Sequence, residues 1–147
     1  MLAQKIEEDF KVALKAKDTL KVETLRMLKA ALHNFLIEKK KDRPDDAELI
    51  SLIQKQVKQR TESIESFKKG GRSELAEKEA REKTILEAYL PKALSDDELT
   101  SLVKLAIQKS GAATKADLGR VMKEAVALAA GRADGKRLSE MAARLLP

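Results

Sequence analysis

Apolar side chains recur every three or four residues along most of this chain and nowhere alternate over any length. That spacing lines one face of an α-helix, whereas a half-buried strand needs a period of two. Ile6, Phe10 and Leu14 mark a first helix from about Gln4 to Lys15. Val22, Leu25, Leu28, Leu32, Phe35 and Leu36 form a continuous stripe on a second, capped by Asp18-Thr19 and reaching about Lys40. A third, from about Asp45 to Lys69, carries Ile50, Ile53, Val57, Ile64 and Phe67; Pro44 fits its start, with Asp45 and Asp46 in the first turn. Only 3 prolines interrupt a chain rich in Lys, Glu, Ala and Leu, so helix is favoured over sheet. The expected class is all-α: an N-terminal helical domain with a long antiparallel hairpin of the second and third helices, plus a small C-terminal three-helix domain.

Punctuation supplies the boundaries. Gly70-Gly71 ends the third helix, and a fourth begins at Ser73 and stops before Pro91. The segment Tyr89-Leu90-Pro91-Lys92-Ala93-Leu94 divides the chain into expected domains 1–94 and 95–147. Ser95-Asp96-Asp97-Glu98 then reads as a capping box for a fifth helix with Leu99, Leu102, Val103, Ala106 and Ile107 on its inner face, terminated by Gly111. Thr114-Lys115-Ala116-Asp117 opens a sixth, ending at Gly131. Asp134 caps a seventh that points Leu138, Met141 and Leu145 inward.

Covalent chemistry finds no support in the residue types. With no cysteine there is no thiolate nucleophile, disulfide or sulfur metal site. The single histidine, His33, flanks an apolar stripe and has no partner for metal binding or acyl transfer. Gly70-Gly71-Arg72 lacks the Gly-Lys-Ser/Thr ending of a phosphate loop. The acidic groups Glu7-Glu8-Asp9, Asp45-Asp46 and Asp96-Asp97-Glu98 lie at helix starts, where carboxylates favour the exposed N–H groups. Glu74, Glu77, Glu79 and Glu82 alternate with Lys78, Arg81 and Lys83 as a solvated, paired helix face. Arg60, on the seam between Val57 and Ile64, is expected to snorkel from the stripe's edge with its head in water, the other reading being a surface patch with Lys55, Lys58 and Gln59. No catalytic residue, metal site or cofactor is expected. No apolar run approaches the ~20 residues that span a bilayer. The opening Met1 to Lys5 runs into charged residues, so no signal peptide is expected, and a cytoplasmic location without membrane partners follows.

Charge points elsewhere. The net charge is +6, and from Leu99 onward 9 basic side chains face 4 acidic ones. Lys115, Arg120, Lys123, Arg132, Lys136 and Arg137 gather around two helix starts and the turn between the last helices, with Gly119, Gly131 and Gly135 among them. Helix N-terminal amides, glycine backbones and arginine forks suit phosphates. A solvated face with cap glycines accounts for the same residues equally well, except that Gly119 lies inside a helix, where it costs roughly 1 kcal/mol against alanine. Such a glycine commonly allows close helix packing or close ligand approach.

Several segments resemble the YqeY-like family: Glu23-Thr24-Leu25-Arg26-Met27-Leu28-Lys29-Ala30-Ala31-Leu32, Gln54-Lys55-Gln56-Val57-Lys58-Gln59-Arg60-Thr61-Glu62-Ser63-Ile64, Tyr89-Leu90-Pro91 and Gly131-Arg132-Ala133-Asp134-Gly135-Lys136. The resemblance implies a helical domain followed by three helices similar to the GatB-type tail of the aspartyl/glutamyl-tRNA amidotransferase, a tail that helps hold the tRNA body. The implied function is a non-catalytic accessory protein binding tRNA or another structured RNA, alone or beside an aminoacylation or amidotransferase complex. The nucleic-acid-binding residues so assigned are Lys115, Gly119, Arg120, Lys123, Gly131, Arg132, Gly135, Lys136 and Arg137. A protein-interaction adaptor is the alternative. Carbon–nitrogen ligase activity with glutamine as amido-N-donor, the family's amidotransferase-like label, lacks any nucleophile or nucleotide loop to support it.

Overall fold

The computed structural model describes residues 1–147 and is 79% helical, with seven α-helices and no strand. It divides into two compact units, Met1–Leu90 and Pro91–Pro147. The first contains α1 (Leu2–Ala16), α2 (Thr19–Lys39), α3 (Asp46–Lys69) and α4 (Ser73–Glu87). Local chemistry explains these limits. The Asp18 carboxylate accepts the Lys21 N–H at 3.2 Å to start α2. Asp45, placed by its spacing in the first turn of α3, instead precedes the helix as its cap: it accepts the Glu48 N–H at 2.7 Å, and Glu48 accepts the Asp45 N–H at 3.0 Å. Ile6, Leu25, Leu28, Leu49, Ile53, Leu86 and Tyr89 form the core.

The intimate antiparallel pair is α3 with α4, not α2 with α3 as the apolar stripes suggested. Gly71 explains the difference. At φ 71° it turns the chain back within the few residues between Lys69 and Ser73, so α4 lies along α3 from its first turn. A longer link separates α2 from α3, and α2 packs against α1, α4 and α3 in turn. Its burial is confined to the first half: Thr24, Leu25 and Leu28 are buried, and nothing beyond Leu28 is. The stripe residues Leu32, Phe35 and Leu36 are only half-buried.

The second unit packs α5 (Asp96–Ser110), α6 (Leu118–Ala129) and α7 (Gly135–Leu145) around Leu99, Val103, Ala106, Val121, Ala125, Leu138, Ala142 and Leu146. Ala106, Ala125 and Ala142, one from each helix, are fully buried in that core. Leu94, expected at the end of the first domain, belongs to this core instead: it is buried, and its N–H reaches the Arg132 carbonyl at 2.8 Å. Thr114 opens a short 3-10 turn, Lys115–Asp117, rather than α6 itself. That helix ends two residues before Gly131, because Ala130 already adopts φ 48° and Gly131 follows at φ 85°.

Candidate nucleic-acid interface

The nine residues of the expected phosphate-binding set all lie in the second unit, where the fold gives them different tasks. Arg132, in the turn between α6 and α7, donates from Nε to the Lys92 carbonyl at 3.0 Å and from Nη2 to Glu98 at 2.9 Å. Arg137, in the first turn of α7, donates from Nη1 to the Leu94 carbonyl at 3.0 Å and from Nη2 to Asp96 at 3.2 Å. The two guanidinium forks thus stitch the segment entering α5 to the α6–α7 turn, satisfying carbonyls that no helix uses. The capping group is part of the same device. Ser95 accepts the Glu98 N–H at 3.2 Å, and its hydroxyl together with Arg132 holds the Glu98 carboxyl below its ordinary range.

Arg120 is engaged as well. Asp117 accepts the N–H groups of Ala113 and Thr114 at 3.0 and 3.3 Å and the Arg120 guanidinium at 2.6 Å. Those donors, the Ala113 amide foremost, lower the Asp117 carboxyl to about 2. Lys115, Lys123 and Lys136 are different: all three are exposed, and no ion pair engages them. The six cations of the expected set therefore separate into three arginines bound to the protein's own acids and three lysines open to solvent.

The glycines separate too. Gly131 follows the left-handed Ala130 cap of α6 with a positive φ of its own, 85°, a conformation L side chains seldom adopt. Gly119 and Gly135 have no such constraint, and a Cβ on either would meet nothing within 4 Å. Close helix packing, one of the two reasons expected for Gly119, is therefore not why a glycine stands there.

The first unit holds a polar feature that periodicity misread. Arg60 is buried, 5% exposed, rather than snorkelling, and Glu82 is buried at 7% rather than solvated. Arg60 Nε lies 3.3 Å from Glu82 Oε2 without a directed hydrogen bond, and Nη2 reaches the Met27 sulfur at 3.6 Å. The neighbouring Gln56 Oε1 is buried and also lacks a partner. Burial raises the Glu82 carboxyl above its ordinary value despite the facing Arg60. A signal for this pair was present: Glu82 stands four residues before Leu86 on the buried line of α4, and Arg60 occupies a seam position of α3. His33 is exposed and lines a cleft between α1, α2 and α3.

Comparison with known proteins places the chain. Its relatives include altered inheritance of mitochondria protein 41 from Pyrenophora tritici-repentis, 33% identical over 134 residues, which are 88% of this chain and 71% of that one. The protein of the same name from Eremothecium gossypii is 38% identical over 85 residues, 58% of this chain and 46% of the relative. That from Kluyveromyces lactis is 38% identical over 84 residues, 57% and 45% respectively. The match thus spans about half the length of the latter two. All three relatives are named as mitochondrial proteins, a finding that overturns the expectation of a cytoplasmic location. A family model described as Yqey-like protein matches residues 3–146, nearly the whole length, and the chain belongs to that YqeY-like family.

Proposed function

We propose that this protein is a non-catalytic accessory factor that binds tRNA or another structured RNA through its second unit, beside an aminoacylation or amidotransferase complex. The observation that carries the reading is the trio Lys115, Lys123 and Lys136, exposed on a compact three-helix scaffold and free of ion pairs. Ammonium groups left in water exchange bound counterions for phosphates without first breaking an internal bridge. The likeness of this unit to an amidotransferase tail that holds tRNA supports the same partner. Aromatic residues are 3% of the chain, so recognition runs through backbone charge and helical shape rather than stacking on single strands.

Roles divide accordingly. The three lysines meet phosphates, and Gly119 gives a backbone close access to the outer face of α6. Arg132 and Arg137 hold the scaffold that presents them. If the trio neutralises three phosphates of a duplex-like region, the log–log salt slope is about −3. Filter binding of an unmodified tRNA transcript over a salt series tests this. The expected result is saturable binding at low salt with that slope, weakened at least tenfold when all three lysines become alanine. Absence of binding at low salt, or a triple variant equal to the wild type, rejects the reading. Arg137→Met is the contrasting variant, expected to lower the unit's melting temperature before it changes affinity.

A further inference from the structure

The Arg60–Glu82 pair has a third member, on α2. Arg60 Nη2 donates to the Met27 sulfur at 3.6 Å, while Nε, 3.3 Å from Glu82, makes no directed hydrogen bond. A guanidinium keeps its proton, and a thioether sulfur is a weak acceptor. The buried cation is therefore short of good acceptors, a costly condition away from water. Arg60 is buried, yet Met27 is 54% exposed. The other 3 of the 4 methionines lack this combination. Met122 and Met141 are half-buried against the second core, Met141 accepting only from the Thr100 hydroxyl at 3.8 Å. Met1 is exposed, and no side chain donates to its sulfur. Met27 alone joins exposure to a hydrogen bond from a buried ion.

We propose that Met27 is an oxidative modification site, at which hydrogen peroxide leaves a methionine sulfoxide that Arg60 holds, fastening α2 to the α3–α4 pair. A sulfur lone pair attacks one peroxide oxygen, and an S–O bond forms as the O–O bond breaks. The departing hydroxide takes the remaining hydroxyl proton and leaves as water. Sulfur loses two electrons and peroxide gains them, with no further reactant. The unbranched methionine side chain can then turn its new oxygen toward the guanidinium. That oxygen carries partial negative charge, and hydrogen bonds from ionised donors are roughly twice as strong as neutral ones. Sulfoxide formation ordinarily weakens a protein, because polarity appears where apolar packing stood. At Met27 the sign reverses. Its exposure means that little packing is lost, and the new dipole meets a cation that Glu82 serves poorly. The neighbourhood is already polar, with Glu23, one turn earlier on α2, 3.8 Å from Lys78 of α4. The benefit falls on α2, whose buried residues are only Thr24, Leu25 and Leu28.

Mild hydrogen peroxide treatment of the full chain, followed by peptide mass mapping and urea unfolding read by Tyr89 fluorescence, tests the site. Met27 should gain one oxygen before Met122 and Met141 do. The singly oxidised wild type should show a folded-to-unfolded ratio about tenfold higher and a urea midpoint raised by about 0.5 M or more. Met27→Leu, close in volume, should fold and show no rise after the same treatment. The double variant Arg60→Met/Glu82→Leu should lose stability when Met27 is oxidised, since no cation then receives the oxygen. A wild-type midpoint that stays or falls on Met27 oxidation overturns the proposal. So does an equal rise in Met27→Leu or in the double variant, or a Met27 that reacts no faster than Met122 and Met141. The site belongs to the first unit, and neither result touches the lysines assigned to RNA.

Discussion

Replacing the two members of the Arg60–Glu82 pair, singly and together, should give strongly non-additive losses whose pH dependence tells the members apart. Their side chains are 6% and 9% exposed, so each ion has surrendered most of its hydration. Their contact at 3.3 Å lacks a directed hydrogen bond, and a buried pair recovers its desolvation cost only when geometry is excellent. Glu82→Leu strands a guanidinium that cannot lose its proton, at an expected cost of about 3–5 kcal/mol that the variant cannot relieve by titration. Arg60→Met strands a carboxylate that escapes by protonation. Taking up a proton against the ordinary value of 4.5 costs about 3.4 kcal/mol at pH 7 but only about 0.8 kcal/mol at pH 5. The double variant Arg60→Met/Glu82→Leu removes both desolvated ions and should lie near the wild type or above it, by up to about 4 kcal/mol.

The chain offers a clean reporter for the assay. It has no tryptophan and a single tyrosine, Tyr89, which is buried in the first core and donates to Asp9 at 2.6 Å. Urea titrations followed by tyrosine fluorescence therefore read the first unit alone. In the wild type the sign runs against the usual salt-bridge expectation. Because the folded Glu82 carboxyl is raised above its unfolded value, the folded state holds more protons in the window above 4.5, and this group's contribution falls as pH rises through it. Single-variant costs that simply add in the double variant, or an Arg60→Met cost that is equal at pH 5 and pH 7, would refute the reasoning.

The second unit should respond to acid in the opposite sense. Asp117 is lowered to about 2, so its contribution is complete above its ordinary 3.8 and is lost as pH falls toward 2; Asp117→Asn should remove that part of the acid slope in melts followed by far-ultraviolet circular dichroism. Gly119, expected inside a helix, is the second residue of α6, so Gly119→Ala should stabilise that helix by less than the ~1 kcal/mol of an interior position; it has no positive φ and a Cβ there meets nothing within 4 Å. A melting temperature that rises while RNA affinity falls would assign the glycine to ligand approach, and a fall in both would contradict the open space around it.

What the sequence disclosed was what neighbouring residues decide among themselves. Asp18, Ser95 and Asp134 each cap the helix their position announces, and Gly111 closes α5 in the left-handed conformation. Partnerships across the chain were not legible. Arg132 and Arg137 reach residues 34 to 43 positions away, and the preference of α3 for α4 over α2 depends on turn geometry rather than on either stripe. The same blindness affected the charge count. Starting it at Leu99 left out Asp96, Asp97 and Glu98, two of which hold the arginines that made the C-terminal segment look cationic. Counted by compact unit, Met1–Leu90 has 20 basic and 17 acidic residues and Pro91–Pro147 has 10 and 7, an equal excess of +3. The excess in the second unit is denser but no larger. Its distribution between arginine and lysine then matters more than its size. A planar guanidinium satisfies a carbonyl and a carboxylate together, so the fold recruits arginine for its own clamps, while a strongly hydrated ammonium group loses little by remaining in water. At Arg132 and Arg137 that preference is visible directly, and it leaves Lys115, Lys123 and Lys136 as the cations of the expected set that can meet a polyanion without dismantling an internal ion pair.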